Sequence, residues 1–149
     1  MTVKTTILSR TLAENSPYYE GLKKTNVEVL FCYEPYDELV LMQLQMFLGK
    51  PIISVEKEMR QDKSADNLTD LGPDSLLQLQ IDELIPWIQT TLTDKVANVK
   101  ATARLDEHPC VITVEDMGAA RHFIRTQGHQ IPEENRYALL QPQLEINPK

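Results

Sequence analysis

The sequence is short of cysteine, histidine and positive charge, and it holds no long apolar run. Its two cysteines, Cys32 and Cys110, stand far apart, each inside a β-like run. Neither belongs to a CxxC pair, so zinc and dithiol chemistry lack support, and both are expected as buried, reduced thiols. His122 and His129 have no partner at ligand spacing on one helix face, which argues against a metal site. His108 falls in a turn and is expected at the surface. Lys and Arg number 15 against 22 Asp and Glu, a net charge of −7. Nucleic acid and anionic membranes reward basic surfaces, so neither is an expected partner. No apolar stretch approaches the length of a membrane span. The opening MTVKTTILSR lacks the apolar region of a signal peptide, and it is neither Arg-rich nor long enough for a mitochondrial presequence. With 42% hydrophobic and 25% charged residues, the 149-residue chain can bury a real core, in one domain or two small ones.

The segment from Val27 to Val55 organises the first part. An apolar run, Val27–Tyr33, ends at Glu34-Pro35. Pro35, Asp37 and Glu38 suit the first turn of a helix, where proline's missing amide costs nothing and carboxylates meet the positive dipole end. Leu39–Leu48 is apolar almost all round, so a well-buried helix is expected, closed by Gly49 as a left-handed C-cap. Pro51–Val55 is a second short strand, and strand–helix–strand at this spacing is a parallel crossover. The end of the first strand, Cys32–Pro35, lacks the glycines a phosphate site requires, and Glu34 would repel an anion. The unit is therefore structural. Upstream, Val3–Leu8 is a weak strand. Ser16-Pro17 opens a helix bearing Tyr18, Tyr19 and Leu22 on its apolar side, the tyrosines packing with wet hydroxyls.

Residues Glu56–Ser75, EKEMRQDKSADNLTDLGPDS, are charge-rich and read as a solvated boundary. Leu76, Leu77, Ile81, Leu84, Ile85, Ile88 and Leu92 then recur at helical spacing. Pro86 predicts a kink or break near Glu83, and Trp87 beside it is expected as a core anchor. Val99–Leu105 alternates as a half-buried strand. With the turn Asp106–Pro109 and the strand Cys110–Glu115 it predicts an antiparallel hairpin. A short amphipathic helix follows, from Asp116 as N-cap to Gly128 as stop, with Met117, Ala120 and Ile124 in one stripe and Phe123 beside it. That stripe either packs on the hairpin or stays partly exposed as an adaptable patch. Pro132–Leu140 is a possible helical piece and Leu144–Ile146 a possible third strand. Asn147-Pro148 reads as a helix start, as if the sequence were cut just before one. The expected fold class is α/β, α+β overall. A three-layer βαβαβ piece (1–58) and a charged linker (59–73) precede an α+β unit (74–149), with helices on a short antiparallel or mixed sheet.

ENSPYYEGLKKTNVEVLFCYEPYDELVLMQLQMFLGKPIISVEKE resembles the closing segment of the middle domain in heat-shock protein 90 chaperones. KVANVKATARLDEHPCVITVEDMGAARHFIRTQ resembles the opening of their C-terminal domain, and LEINPK the start of its next segment. The wording of MGAARHF, SPYYE and VLFCYE is most similar to the mitochondrial branch. The first eleven residues fit the family poorly, and Pro86 stands in a helix the family leaves uninterrupted. The resemblance implies a fragment of an ATP-dependent chaperone that couples two domains and assists folding by binding partly unfolded client proteins. It implies client contacts at Met117, Phe123 and Ile124, a mitochondrial location with cytoplasm as the alternative, and a homodimeric parent joined through segments after Lys149. ATP and Mg would belong to the parent. Its nucleotide site, catalytic acid and γ-phosphate arginine lie upstream, so this chain should hold no cofactor and no catalytic residue, and hydrolyse nothing. The competing readings are a stand-alone small α/β enzyme and a truncated regulatory binding module.

Overall fold

A computed structural model of the chain describes residues 2–6, 9–23, 25–61, 68, 72–115, 117–127, 130, 132, 135 and 140–149. The fold is α+β, as the sequence implied. Strand β1 (Thr2–Thr6) leads through two short helices, α1 (Arg10–Glu14) and α2 (Pro17–Lys23), to β2 (Glu28–Cys32). Helix α3 (Pro35–Gln43) then crosses to a small hairpin, β3 (Met46–Phe47) and β4 (Lys50–Ser54). The strand order is β2-β1-β4-β3. β1 lies parallel to both neighbours, with Val3 opposite Val29 on one side and Ile53 on the other. The crossover reading of Val27–Val55 is therefore correct.

Local chemistry explains the helix starts. Ser16 Oγ accepts the Tyr19 amide at 3.2 Å ahead of Pro17. Pro35 opens α3, and the Asp37 carboxylate accepts the Glu34 amide at 3.1 Å, closing the first turn. The far end of α3 departs from expectation. The helix stops at Gln43, and Met46–Lys50 forms a hairpin whose turn residues Leu48 (φ 48°) and Gly49 (φ 76°) both have positive φ. That is the two-residue turn that matches strand twist. Gly49 is left-handed as expected, but it serves a hairpin and not a helix end. Nor is the segment buried all round: Tyr36, Val40, Leu44, Met46, Phe47 and Leu48 are exposed. The sheet covers one side of α3 only.

Beyond β4 the chain turns directly into α4 (Val55–Gln61). Val55, Glu56 and Met59 are buried, so the start of the charged segment is packed and not solvated. The Ser54 hydroxyl donates to the Glu56 carboxylate at 2.5 Å. Most of the expected linker, 59–73, lies outside the described residues.

The second part is built on α5 (Gln78–Thr91) and three strands, β5 (Asn98–Ala101), β6 (Cys110–Thr113) and β7 (Gln143–Ile146), with α6 (Met117–Gln127) between the last two. The order is β5-β7-β6, β7 parallel to β5 and antiparallel to β6. The predicted β5/β6 hairpin does not form, because β7 inserts between its arms. As the central strand β7 is paired along both edges, and all four of its residues are buried, Glu145 among them. Gln143 Nε2 donates to Glu145 Oε1 at 2.9 Å, and Lys100 Nζ stands 3.7 Å away. Leu144 and Ile146 face the other way, joining Ile81, Val99 and Ala101 in the core under α5.

Three further expectations are corrected here. Helix α5 runs through Pro86 to Thr91, so of the kink or break expected near Glu83 the break does not occur. Pro86 is exposed, and packing of Leu84, Ile85 and Ile88 onto the core offsets the lost backbone bond. Trp87 is 65% exposed, since the sheet covers only the opposite side of α5. Cys32 is buried, but Cys110, the first residue of β6, faces outward and is exposed. Asp116, Gly128 and most of Pro132–Leu140 lie outside the described residues.

Pro86 yields the first test. Alanine there restores a donor to the carbonyl of Asp82 and removes a ring clash. Pro86→Ala is expected to raise stability by about 1–3 kcal/mol, and thermal unfolding would show a midpoint several degrees higher. An unchanged midpoint would mean that the helix has absorbed the proline fully.

Candidate functional site

Two places combine exposed or charged groups in a defined geometry. The first is helix α6. Its sequence puts apolar residues on one side and His122 and Arg125 elsewhere, which requires that side to find cover. Ala120 is buried, and Phe123 is half-buried. Ala120 and Phe123 line a groove of about 430 Å³ with Val114, Glu115, Ala119, Leu140 and Gln141. Ile124 points away and is 38% exposed. Met117 is the first residue of α6, and its side chain lies outside the described residues. The structure thus separates two residues that periodicity placed in one stripe: Ala120 is buried at the groove, with Phe123 beside it, and Ile124 is at the surface.

The second place is the junction between the two parts, which sequence reasoning missed. Glu20 on α2 is 5% exposed. Its carboxylate receives the backbone amides of Asp106, Glu107 (2.7 Å) and His108 (3.3 Å), and it contacts His108 Nδ1. His108 Nε2 lies 3.1 Å from the carbonyl oxygen of Asn15. Both ring nitrogens thus face oxygen atoms, Nδ1 the Glu20 carboxylate and Nε2 a backbone carbonyl. Burial pushes the Glu20 carboxyl up. The hydrogen bonds from His108 and from the three amides outweigh it and hold the carboxyl below the usual range.

Around this clasp, Asn147 Nδ2 donates to the carbonyls of Asp106 (3.3 Å) and His108 (3.1 Å). Lys149 Nζ pairs with Asp106 at 2.8 Å. The Tyr18 hydroxyl donates to the Ile112 carbonyl at 2.5 Å, which adds a bond between α2 and β6. Below, Met59 of α4 is fully buried against Leu105 and Val111, with Tyr18 at its side. His108, expected at the surface, is instead a tether. Glu20 and His108 lie 88 positions apart, and no local pattern signals such a contact.

Among the described residues no group of three or more His, Cys, Asp or Glu side chains could hold a metal ion. His122 is exposed, and His129 lies outside the described residues. No helix among the described residues is long and apolar enough to cross a membrane.

The family model described as Hsp90 protein matches residues 5–149. The match takes in part of the first eleven residues, which had been expected to fit poorly, and it runs through the charged segment. The chain is 47% identical over 144 residues to heat shock protein 75 kDa, mitochondrial, of Rattus norvegicus, covering 95% of this chain and 20% of that protein. It is 31% identical over 130 residues to the TNF receptor-associated protein 1 homolog, mitochondrial, of Dictyostelium discoideum, covering 85% of this chain and 18% of that one. To chaperone protein HtpG of Frankia casuarinae it is 31% identical over 144 residues, covering 94% and 21%. The chain thus spans about a fifth of the curated relatives it matches. Matched along nearly its whole length, and folded as two small α+β units clasped together, the chain belongs to the Hsp90 family of chaperones.

Proposed function

We propose that this chain works as a part of an ATP-dependent chaperone: it couples the end of a middle domain to the start of a C-terminal domain and offers a modest surface to partly unfolded clients. In this reading residues 1–58 and 74–149 are the two domain pieces. The Glu20–His108 clasp and the Met59 contact transmit motion between them. Met117, Phe123 and Ile124 contact clients. ATP and Mg belong to the rest of the parent protein, as does homodimerisation through segments after Lys149. The chain itself carries out no ATP chemistry. The mitochondrial names of two relatives support a mitochondrial location. Family membership does not favour a stand-alone enzyme.

The observation that carries the client contact is the exposure of Ile124 beside an apolar groove rimmed by Phe123. A partly folded client exposes apolar side chains, and weak burial of these needs no exact shape match. Burying two such side chains is worth roughly 1.5–3 kcal/mol each at most. The double variant Phe123→Ser/Ile124→Ser is therefore expected to weaken binding of a reduced, permanently unfolded test protein at least tenfold, read by fluorescence anisotropy. Circular dichroism confirms the fold. Equal affinity of variant and parent would remove α6 from the client surface.

A further inference from the structure

The turn 106–109 is gripped by side chains from both parts of the chain. Its amides at Asp106, Glu107 and His108 go to Glu20 of α2. Its carbonyls go to Asn147, the first residue after β7. The Asn147 side-chain amide donates to the carbonyls of Asp106 and His108, and its backbone amide to the Pro109 carbonyl at 2.8 Å. The Asp106 carbonyl and the Glu107 amide belong to one planar peptide unit. That unit is therefore bonded at its oxygen to the second part and at its nitrogen to the first, and each bond polarises the other.

The residues after Asn147 tighten this grip. Asn147 Oδ1 accepts the Lys149 amide at 3.1 Å. Lys149 Nζ reaches the Ala103 carbonyl at 3.2 Å and the Asp106 carboxylate at 2.8 Å. The Pro148 carbonyl accepts the Leu76 amide at 2.7 Å, just ahead of α5. Residues 147–149 are thus joined by hydrogen bonds to both the approach to α5 and the turn. Asp106, Glu107 and Pro109 are themselves exposed, so side-chain burial does little to shape the turn. Three amides converge on one carboxylate only while it keeps that shape.

We infer that Asn147 is a positioning residue for the junction: by holding the carbonyl side of the turn it sets the amide cradle that receives Glu20, and so links the chain leaving β7 to α2. This role rests on the coupling reading above and names its route, from Asn147 through the 106–107 peptide to Glu20. It is separate from the Met59 contact, which joins the parts by apolar packing.

The titration of Glu20 reads the cradle directly, because donated amides favour the charged carboxylate. Asn147→Ala removes none of the charges at the turn, which are those of Asp106, Glu107, His108 and Lys149. In the full chain, NMR of the Glu20 side-chain carboxyl is expected to show its proton bound about threefold more tightly in Asn147→Ala than in the parent. The Glu107 amide should exchange with solvent about tenfold faster relative to the amides of β5. Asn147→Ser keeps one donor, should fall between the two, and carries the test if the alanine variant does not fold. Ile81→Val trims the core under α5 and leaves the turn alone, so it should lower stability without moving either reading. An unchanged Glu20 titration in a folded Asn147 variant, or an equal change in Ile81→Val, would overturn the assignment. Either result would leave the coupling reading standing, because that reading depends on Glu20 and not on Asn147.

Discussion

Glu20→Ala is expected to lower the unfolding free energy by about 3–5 kcal/mol. The substitution leaves the amides of Asp106, Glu107 and His108 without their acceptor in a partly buried loop, and removes the anion that faces the His108 ring. Each buried donor left unsatisfied costs about 1–3 kcal/mol, and the losses overlap because one carboxylate serves all of them. Urea unfolding would read the loss directly. Glu20→Gln keeps an acceptor oxygen but not the charge, and should fall between the parent and alanine. The acid side supplies a second readout. The folded carboxyl is held below the usual glutamate range. Its contribution is therefore full above that range and is lost as the pH falls through the depressed folded value. The parent should lose stability along that limb, and Glu20→Gln should lose less of it. Identical acid limbs in the two proteins would rule the clasp out as a stabilising element at neutral pH.

Met59→Ala should be as damaging, by about 2–5 kcal/mol, for a different reason. Met59 is fully buried where α4 meets Leu105 and Val111. It also lies against α2: a Cβ added at Gly21 would come within 3.3 Å of the Met59 methyl group. Truncation opens a void between the two parts that neither can collapse into alone. Calorimetry should show the single transition of the parent broadening or splitting in two as the parts lose their common core. Met59→Leu, of similar volume, should cost less than about 1.5 kcal/mol and keep one transition. A sharp single transition in Met59→Ala with small loss of stability would show that the clasp alone holds the parts together.

Much of the local architecture was legible in the residues. Ser16-Pro17 and Pro35 with Asp37 mark helix starts because the chemistry that caps a helix is confined to one turn. The crossover from β2 through α3 to β4 follows from two β-rich runs at the right spacing. Pairing across long separations was not legible. Val99–Leu105 and Cys110–Glu115 are a sound local hairpin pattern, and only a strand from beyond residue 140 displaces it. The hydrophobic run Leu39–Leu48 reads as buried helix by composition alone. Yet its last residues leave the helix for a turn that Gly49 permits, and its outer side stays bare. The junction was invisible for the same reason: Glu20 and His108 each suit an ordinary surface position until the two are brought together. Of the α6 residues, the pattern identified the helix and its apolar side, but not that Ala120 and Ile124 of one stripe differ, one buried and the other exposed.

The middle position of β7 also bears on synthesis. β5 ends at Ala101, while the strand it pairs with begins at Gln143. At ribosomal speeds of about 5–20 residues per second, β5 and β6 emerge several seconds before the strand that zips them together exists. During that interval both strands present unpaired edges, the kind of surface that pairs with other chains.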